Sequence, residues 1–349
     1  MKKINLLGLF YEEIAELLSP LRLPKYRTHQ VVEWLYQRGC SSFSEMTSLP
    51  AALRTLLDQT FRVGSAVLKA EQNSQDGKTS KYLLEFDDGE AVETVLMRQP
   101  YGNSVCVSSQ VGCGMGCVFC ASTLKGVVRN LSAGEMLLQV LYIRSILRSS
   151  GQTVNNIVIM GSGEPLANYD QVLKFIRLCH AEYCLHMSYR NITLSTSGIV
   201  PAMDKLSAEG LPLTLAISLH APDDAVRSRL MPVNRRYSIK EVVAAGDRYA
   251  KNTGRRITYE YALIADINDH PAHARKLAEL LRGQLCNINL IPVNAVPERG
   301  LRRPAPARVE AFARLLDAAH MNVTIRREMG ADIQAACGQL RNNTLKTIH

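Results

Sequence analysis

Three cysteines within eight residues are the part of this sequence best suited to chemistry. Cys113, Cys117 and Cys120 stand in Cys-Gly-Met-Gly-Cys-Val-Phe-Cys, directly after a predicted strand. A cubane iron–sulfur cluster has four irons, and an ordinary electron carrier ligates each one with a protein thiolate. Three local thiolates leave one iron open, to which the amino and carboxylate groups of S-adenosylmethionine (SAM) can bind. The spacing therefore predicts one [4Fe–4S] cluster that cleaves SAM reductively.

Two other uses of this loop fit less well. A zinc site needs a fourth ligand nearby, and neither the spacing nor the flanking residues indicate one. A simple ferredoxin is far shorter than 349 residues. Gly114 and Gly116 are expected to let the loop wrap closely around a cluster, because glycine has no side chain to obstruct it.

Composition limits the class of protein. The net charge of +9 and pI near 9.1 favour a polyanionic partner. No apolar run is long enough to span a membrane, and the amino terminus lacks a cleavage site, so we expect a cytoplasmic protein. Nine cysteines, an odd number with four between positions 106 and 120, argue against a disulfide framework. Four others lie in apolar contexts and are expected to be buried without a role: Cys40, Cys179, Cys184 and Cys286.

The elements that must position the loop follow from hydrophobic periodicity. Helical patterns fill the first sixty residues, and a hairpin then flanks Asp87-Asp88-Gly89. Strands are predicted at 104–108, 156–160, 191–195, 213–220, 256–264, 287–292 and 322–327. Helices are predicted between most of them, including 132–147, 170–183, 239–251, 272–281 and 306–319, and Ser132 with Glu135 has the capping-box spacing. Repeated β/α units predict a parallel sheet or barrel whose site lies at the carboxyl ends of the strands.

Beyond the cysteine loop, five segments resemble one known family. They are 105–113, Gly163-Glu164-Pro165-Leu166, 194–198, 217–220 and 335–340. The loop itself resembles the radical SAM motif, and the set is similar to the bacterial dual-specificity RNA adenine-C2 methyltransferases of that superfamily. The resemblance runs from about Tyr82 to Leu340 and implies an open, partial parallel β/α barrel. We expect a helical accessory domain at 1–62, a β extension at 63–98, the radical SAM core at 99–340 and a tail at 341–349.

The resemblance also implies residue roles. SAM contacts fall on Gly163, Glu164, Ser195, Ser218, Leu219, His220 and Asn294, and the cluster falls on Cys113, Cys117 and Cys120. Cys337 matches the position that carries a methyl group, and Cys106 matches the cysteine that later attacks the sulfur of Cys337. Two SAM molecules are used per turnover, one as methyl donor and one as radical source.

The implied partners are rRNA and tRNA, with adenine 2503 of 23S rRNA and adenine 37 of tRNA as targets. An external electron donor such as flavodoxin or its reductase is also implied. We further expect a monomer without membrane association. The family's target bases lie in loops, which proteins read by shape and stacking.

Three points stay open at the level of sequence. Glu93 matches the family's base for the C2 proton, but its own context indicates a solvated hairpin residue. A related group methylates C8 of the same adenine with the same two cysteines, and Pro165 favours the C2 group because the C8 group typically has alanine there. A non-catalytic iron–sulfur protein that binds RNA or transfers electrons would not need Cys106 and Cys337 beside such a loop.

Overall fold

The computed structural model describes residues 3–293 and 300–326. Its strands are β1 (Ile4–Asn5), β2 (Phe61–Arg62), β3 (Ala66–Asn73), β4 (Thr79–Phe86), β5 (Ala91–Gln99), β6 (Gly102–Cys106), β7 (Gln110–Gly112), β8 (Val127–Asn130), β9 (Val154–Ile159), β10 (Ile192–Thr196), β11 (Thr214–Ser218), β12 (Ile257–Leu263), β13 (Cys286–Pro292) and β14 (Val323–Ile325). Its helices are α1 (Tyr11–Leu18), α2 (Lys25–Val32), α3 (Ala51–Thr60), α4 (Ala133–Arg148), α5 (Tyr169–His180), α6 (Val200–Ala208), α7 (Asp224–Leu230), α8 (Ile239–Thr253), α9 (Pro271–Leu280) and α10 (Pro306–Ala318). None of these helices is long and apolar enough to cross a membrane.

A ten-stranded sheet in the order β14-β13-β12-β11-β10-β9-β6-β5-β4-β3 forms the centre. The strands from β6 and β9 through β14 run parallel, and helices connect them along the chain. The fully buried residues of these strands are largely apolar, as parallel strands covered by helices require, and include Ile157, Leu194, Leu215, Ile288 and Leu290. In the described part of the chain β3 and β14 are the two edges of the sheet, so the predicted open barrel is confirmed.

The amino-terminal side of the sheet is antiparallel. Strands β3, β4 and β5 form a meander that joins the parallel part through β5 and β6. Gly89 closes the predicted turn with a φ of +83°, which glycine adopts without strain. The meander extends the cavity wall beyond the parallel strands, because Thr79, Val95 and Met97 line the same cavity as residues of β13.

A small helical module of α1 to α3 packs on the outside of the barrel. Tyr11 donates its backbone N–H to the hydroxyl of Tyr183 at 3.2 Å, and Lys174 pairs with Glu13 at 2.7 Å. Gly8 lies so close to Gly134 of α4 that a Cβ would stand 2.3 Å from the Gly134 nitrogen. The module is therefore fixed to α4 and α5, on the side of the sheet away from the cavity.

The seven predicted parallel strands are all present, each within three residues of its expected ends. Ser132 and Glu135 form the predicted capping box of α4, since the Glu135 N–H donates to Ser132 Oγ at 3.2 Å. The four cysteines expected to be inert are buried, and burial raises the pKa of the Cys286 thiol to about 11. The division of the chain at residues 62, 98 and 340 stays a prediction.

Candidate active site

A cavity of about 350 Å³ lies at the carboxyl ends of the parallel strands. Nine of the residues predicted for the site line it: Cys106, Cys113, Cys117, Cys120, Gly163, Glu164, Ser195, Ser218 and His220. Leu219 is fully buried next to two of them. Asn294 and Cys337 lie outside the described residues.

The cysteine loop is held at its base by the two-stranded ribbon of β7 and β8. Gly112 ends β7 with a φ of +76°, and a Cβ there would stand 2.0 Å from the carbonyl oxygen of Gly126. The Cys113 N–H donates to that same carbonyl at 3.0 Å. Gly116 also has a positive φ of +70° whereas Gly114 does not, so Gly112 and Gly116 are the glycines that the loop conformation requires.

The three thiols form an electrostatically coupled group. Burial raises the pKa of Cys117, and charge on Cys120 and Cys113 raises it further, while the Arg227 guanidinium opposes this. Burial also raises the pKa of Cys113. Such thiols give up their protons when metal binds, so this donor set suits iron and sulfide.

The number of thiols in the loop distinguishes a cluster from a structural zinc ion. Cys113 and Cys117 are buried, Cys120 is half-buried, and all three line the cavity. A structural zinc site has four protein ligands, whereas a [4Fe–4S] cluster with three thiolates keeps one iron open to a ligand in the cavity. The loop fits such a cluster better than structural zinc.

Glu164 provides a fixed carboxylate beside this loop. Its Oε1 accepts from the Leu166 N–H at 3.0 Å and the Thr196 hydroxyl at 2.7 Å, and its Oε2 accepts from the Ser197 N–H at 2.7 Å. Burial nevertheless raises its pKa. A cationic ligand in the cavity would offset that desolvation by pairing with the carboxylate.

The backbone next to Glu164 approaches its neighbours very closely. Gly163 has a φ of +109°, and a Cβ there would lie 2.7 Å from the Gln110 nitrogen. Gln110 in turn accepts the Glu164 N–H through Oε1 at 2.8 Å. Glycine is therefore the residue that this turn can accommodate.

Glu260 of β12 is a cavity residue that the sequence analysis missed. Ser195 and Ser218 both donate their hydroxyls to Glu260 Oε2, at 2.9 and 3.4 Å. These two serines stand at the ends of β10 and β11, and all three side chains line the cavity. Only the alternation of side chains within the predicted strand at 256–264 could have indicated Glu260, and nothing in the sequence marked it among its neighbours.

His220 lines the cavity while its ring is anchored by the backbone. Its Nδ1 accepts the Ala262 N–H at 2.9 Å, so the neutral ring carries its proton on Nε2. Burial, with a smaller effect of the Arg227 cation, lowers the pKa of His220 to about 3. The residue therefore presents a neutral imidazole at neutral pH.

Arg227 of α7 connects the segments that follow β10 and β11. Nothing in the sequence indicated this role either. Its guanidinium donates to the carbonyl oxygens of Ser197, Ser218 and Leu219 at 2.7, 3.1 and 3.2 Å, and to Asn234 Oδ1 at 2.9 Å. The side chain is completely buried, and burial lowers its pKa to about 10. It ties the loops after β10 and β11 to each other.

Cys106 of β6 lines the cavity, whereas Glu93 of the neighbouring strand β5 is buried behind the residues that line it. Cys106 is buried at the end of β6, where Val95 of β5 is its register partner. Glu93 is buried and forms an ion pair with Lys81, so the expectation of a solvated hairpin residue is wrong. The expectation failed because β4 and β5 continue the main sheet, which covers the face that an isolated hairpin would expose.

Known protein families and individual proteins are similar to this chain. Residues 107–278 match the family model described as "Radical SAM superfamily", and residues 4–63 match the "Ribosomal RNA large subunit methyltransferase N-terminal domain". A "Probable dual-specificity RNA methyltransferase RlmN" of Desulforamulus reducens is 52% identical over 97% of this chain and 96% of its own. This chain belongs to the RlmN family.

Further relatives agree with that placement. An RlmN protein of Bacillus licheniformis is 48% identical over 95% of this chain and 91% of its own. The crystal structure of a radical SAM methyltransferase from Sphaerobacter thermophilus superposes with a TM-score of 0.93 at 44% identity, over 96% of this chain and 98% of that one. As an RlmN-family enzyme, the chain is an RNA methyltransferase that uses a [4Fe–4S] cluster and SAM.

Proposed function

We propose that this enzyme methylates C2 of an adenine in RNA, at adenine 2503 of 23S rRNA and adenine 37 of tRNA, with Cys337, Cys106 and Glu93 as catalytic residues. One observation carries the proposal. Cys106 lines the same cavity as Cys113, Cys117 and Cys120, although it stands on a different strand and outside their loop. A conventional methyltransferase needs no such fourth thiol.

The chemistry of the target explains why a thiol is needed. C2 of adenine lies between two ring nitrogens and is electron-poor, so it cannot attack the electrophilic methyl group of SAM. We assign the cluster to Cys113, Cys117 and Cys120, and the SAM contacts to Gly163, Glu164, Ser195, Ser218, Leu219, His220 and Asn294. When bound, these cofactors would supply a methyl group to Cys337 and the one-electron chemistry that removes a hydrogen from it, with two SAM molecules used per turnover.

The remaining steps belong to the chain's own residues. Once the carbon on Cys337 is joined to C2 of the base, a Glu93 oxygen accepts the C2 proton. The adduct must also give up its unpaired electron, for which the bound cluster would supply the acceptor, and the ring is then aromatic again. The Cys106 thiolate then attacks the sulfur of Cys337, and the sulfur–carbon bond breaks. The bonding pair goes to the product carbon, which takes up a proton, and a disulfide between the two cysteines remains. Two electrons from a reductant must restore the thiols before the next turnover.

The proposed partners follow from the same chemistry. The RNA substrates are rRNA and tRNA, and the target base must leave its stack to reach the cavity, at a cost of a few kcal/mol. Arg303 and Arg326 line the cavity, and their positive charge suits the phosphate groups of RNA. We propose an external donor such as flavodoxin or its reductase for the electrons, a cytoplasmic location and a monomeric enzyme.

The variant Cys106→Ala tests the two-cysteine mechanism. Incubated anaerobically with RNA, SAM and reductant, it should form the bond to RNA and then stop. A denaturing gel should show a slow, nuclease-sensitive band that wild-type enzyme and Cys286→Ala do not accumulate. Cys286 is a suitable control because it is a buried cysteine that does not line the cavity. Normal RNA methylation by Cys106→Ala without such a band would refute the mechanism.

A further inference from the structure

Lys81 is a buried cation in the wall of the cavity, and the mechanism proposed above assigns it no role. Its side chain has 0% exposure, and its Nζ lies 3.5 Å from Oε2 of Glu93, whose side chain is 5% exposed. Lysine is almost never fully buried unless it is paired, because its charge loses hydration. The pair is therefore a specific feature of this wall and not a solvated surface contact.

Strand register places the ion pair on the cavity face of the sheet. Thr79 of β4 is opposite Met97 of β5, and Lys81 is opposite Val95. Thr79, Val95 and Met97 all line the cavity. Because side chains alternate along a strand, Lys81 shares its face with Thr79, and Glu93 shares its face with Val95.

The backbone at Glu93 is also fixed relative to the cluster strand. Ser108, which follows β6, donates its hydroxyl to the carbonyl oxygen of Glu93 at 2.7 Å. The same Ser108 oxygen accepts the Ser162 N–H at 2.9 Å. The main chain that carries Glu93 is thus tied to the segments that precede the cysteine loop and Glu164.

A carboxylate that accepts a proton must hold one oxygen in a fixed position toward the reacting carbon. The Lys81 ammonium group contacts Glu93 Oε2 from the neighbouring strand and restricts the rotation of that carboxylate. The C2 proton goes to Glu93, and Lys81 takes no part in the transfer itself.

We propose that Lys81 is a positioning residue, which holds the Glu93 carboxylate in place for the target base. This inference rests on the proposed role of Glu93 as the proton acceptor. It predicts a defect at one stage only. Loading of methyl onto Cys337 and cleavage of SAM should proceed in Lys81→Met, while product release from the covalent adduct slows.

The expected size follows from the contact that is removed. Loss of a proton acceptor costs about 100-fold or more, whereas loss of the contact that positions it should cost less. Release by Lys81→Met should therefore fall by about 10-fold. Lys81→Arg keeps a cationic donor on the same strand and should retain most of the rate.

A double-mutant cycle separates this role from a structural one. Glu93→Gln should slow release by about 100-fold or more, as expected for loss of a proton acceptor. If Lys81 acts through Glu93, adding Lys81→Met to Glu93→Gln should cause no further loss. Lys69→Met is the matched control. Lys69 of β3 also forms an ion pair across strands, with its Nζ 3.1 Å from Oε1 of Glu85 in β4, but its side chain is 37% exposed. It should behave as wild type.

The outcomes are distinguishable. Normal release by Glu93→Gln would overturn the role of Glu93 and this inference with it. A stalled Glu93→Gln beside a normal Lys81→Met would overturn the inference alone. Additive losses in the double variant, or equal slowing of methyl loading and release in Lys81→Met, would reduce Lys81 to a structural residue.

Discussion

Replacing Arg227 by methionine should destabilise the enzyme and weaken SAM binding together. The substitution keeps an unbranched chain of similar length in the core but removes four donated hydrogen bonds. Three of them satisfy backbone carbonyls in the loops after β10 and β11. SAM contacts are assigned to Ser218, the last residue of β11, and to Leu219, which follows it.

The magnitude follows from two opposing effects. Hydrogen bonds to a charged group contribute about 1.5–3 kcal/mol each, so four would sum to more than about 6 kcal/mol. Removing the buried cation returns part of this, because burying an ion costs several kcal/mol. We expect a net loss of about 3 kcal/mol in the free energy of unfolding. Loosened loops should raise the Kd for SAM about tenfold, which corresponds to about 1.4 kcal/mol.

Urea unfolding followed by circular dichroism measures the stability, and calorimetric titration of the reconstituted enzyme measures SAM binding. Arg248→Met is the control, since Arg248 pairs with Asp204 where both side chains are more than 40% exposed. Its loss should be below about 1 kcal/mol. A stability of Arg227→Met within about 0.5 kcal/mol of wild type would refute this role of Arg227. A loss of stability with normal SAM binding would refute it as well.

Three further predictions use the same assays. Gly163→Ala should raise the Kd for SAM, because the added Cβ would stand 2.7 Å from a backbone nitrogen at a φ of +109°; unchanged binding would contradict this. Ser132→Ala removes the α4 cap and should cost about 1 kcal/mol in urea unfolding, with no effect on SAM affinity. Because burial lowers the pKa of His220 to about 3, its unfolded form binds the extra proton, so stability is lost as pH falls from about 6.5 toward 3. Between pH 6.5 and 5, wild type should lose about 1.5 kcal/mol more than His220→Gln; parallel pH profiles would show that the ring is not buried neutral.

The strands and helices of the barrel could be predicted from the sequence because the patterns that define them are local. Strand alternation, capping residues and the order of β/α units set the elements, and the cysteine spacing indicated the cluster loop. These signals depend on neighbours along the chain, and the structure agrees with them. The same holds for Ser132 and Glu135, whose spacing alone predicts their reciprocal hydrogen bonds.

Residues whose roles depend on packing between distant segments could not be predicted in this way. Arg227 reads as one of several basic residues on a short helix, yet it is buried by loops that follow two other strands. Glu260 gains its partners from β10 and β11. The local context of Glu93 indicates a solvated hairpin charge because nothing nearby in the sequence shows that the sheet continues past it.

The position and isotopic content of the transferred methyl group show whether the enzyme methylates C2 through Cys337. RNA treated with this enzyme and SAM deuterated in its methyl group should be digested to nucleosides and analysed by mass spectrometry against authentic 2-methyladenosine and 8-methyladenosine. We predict 2-methyladenosine whose methyl group has one deuterium replaced by hydrogen, because one atom must be removed from the methyl group before it joins the ring. An 8-methyl product would contradict the C2 assignment, and a fully deuterated methyl group would contradict transfer through Cys337.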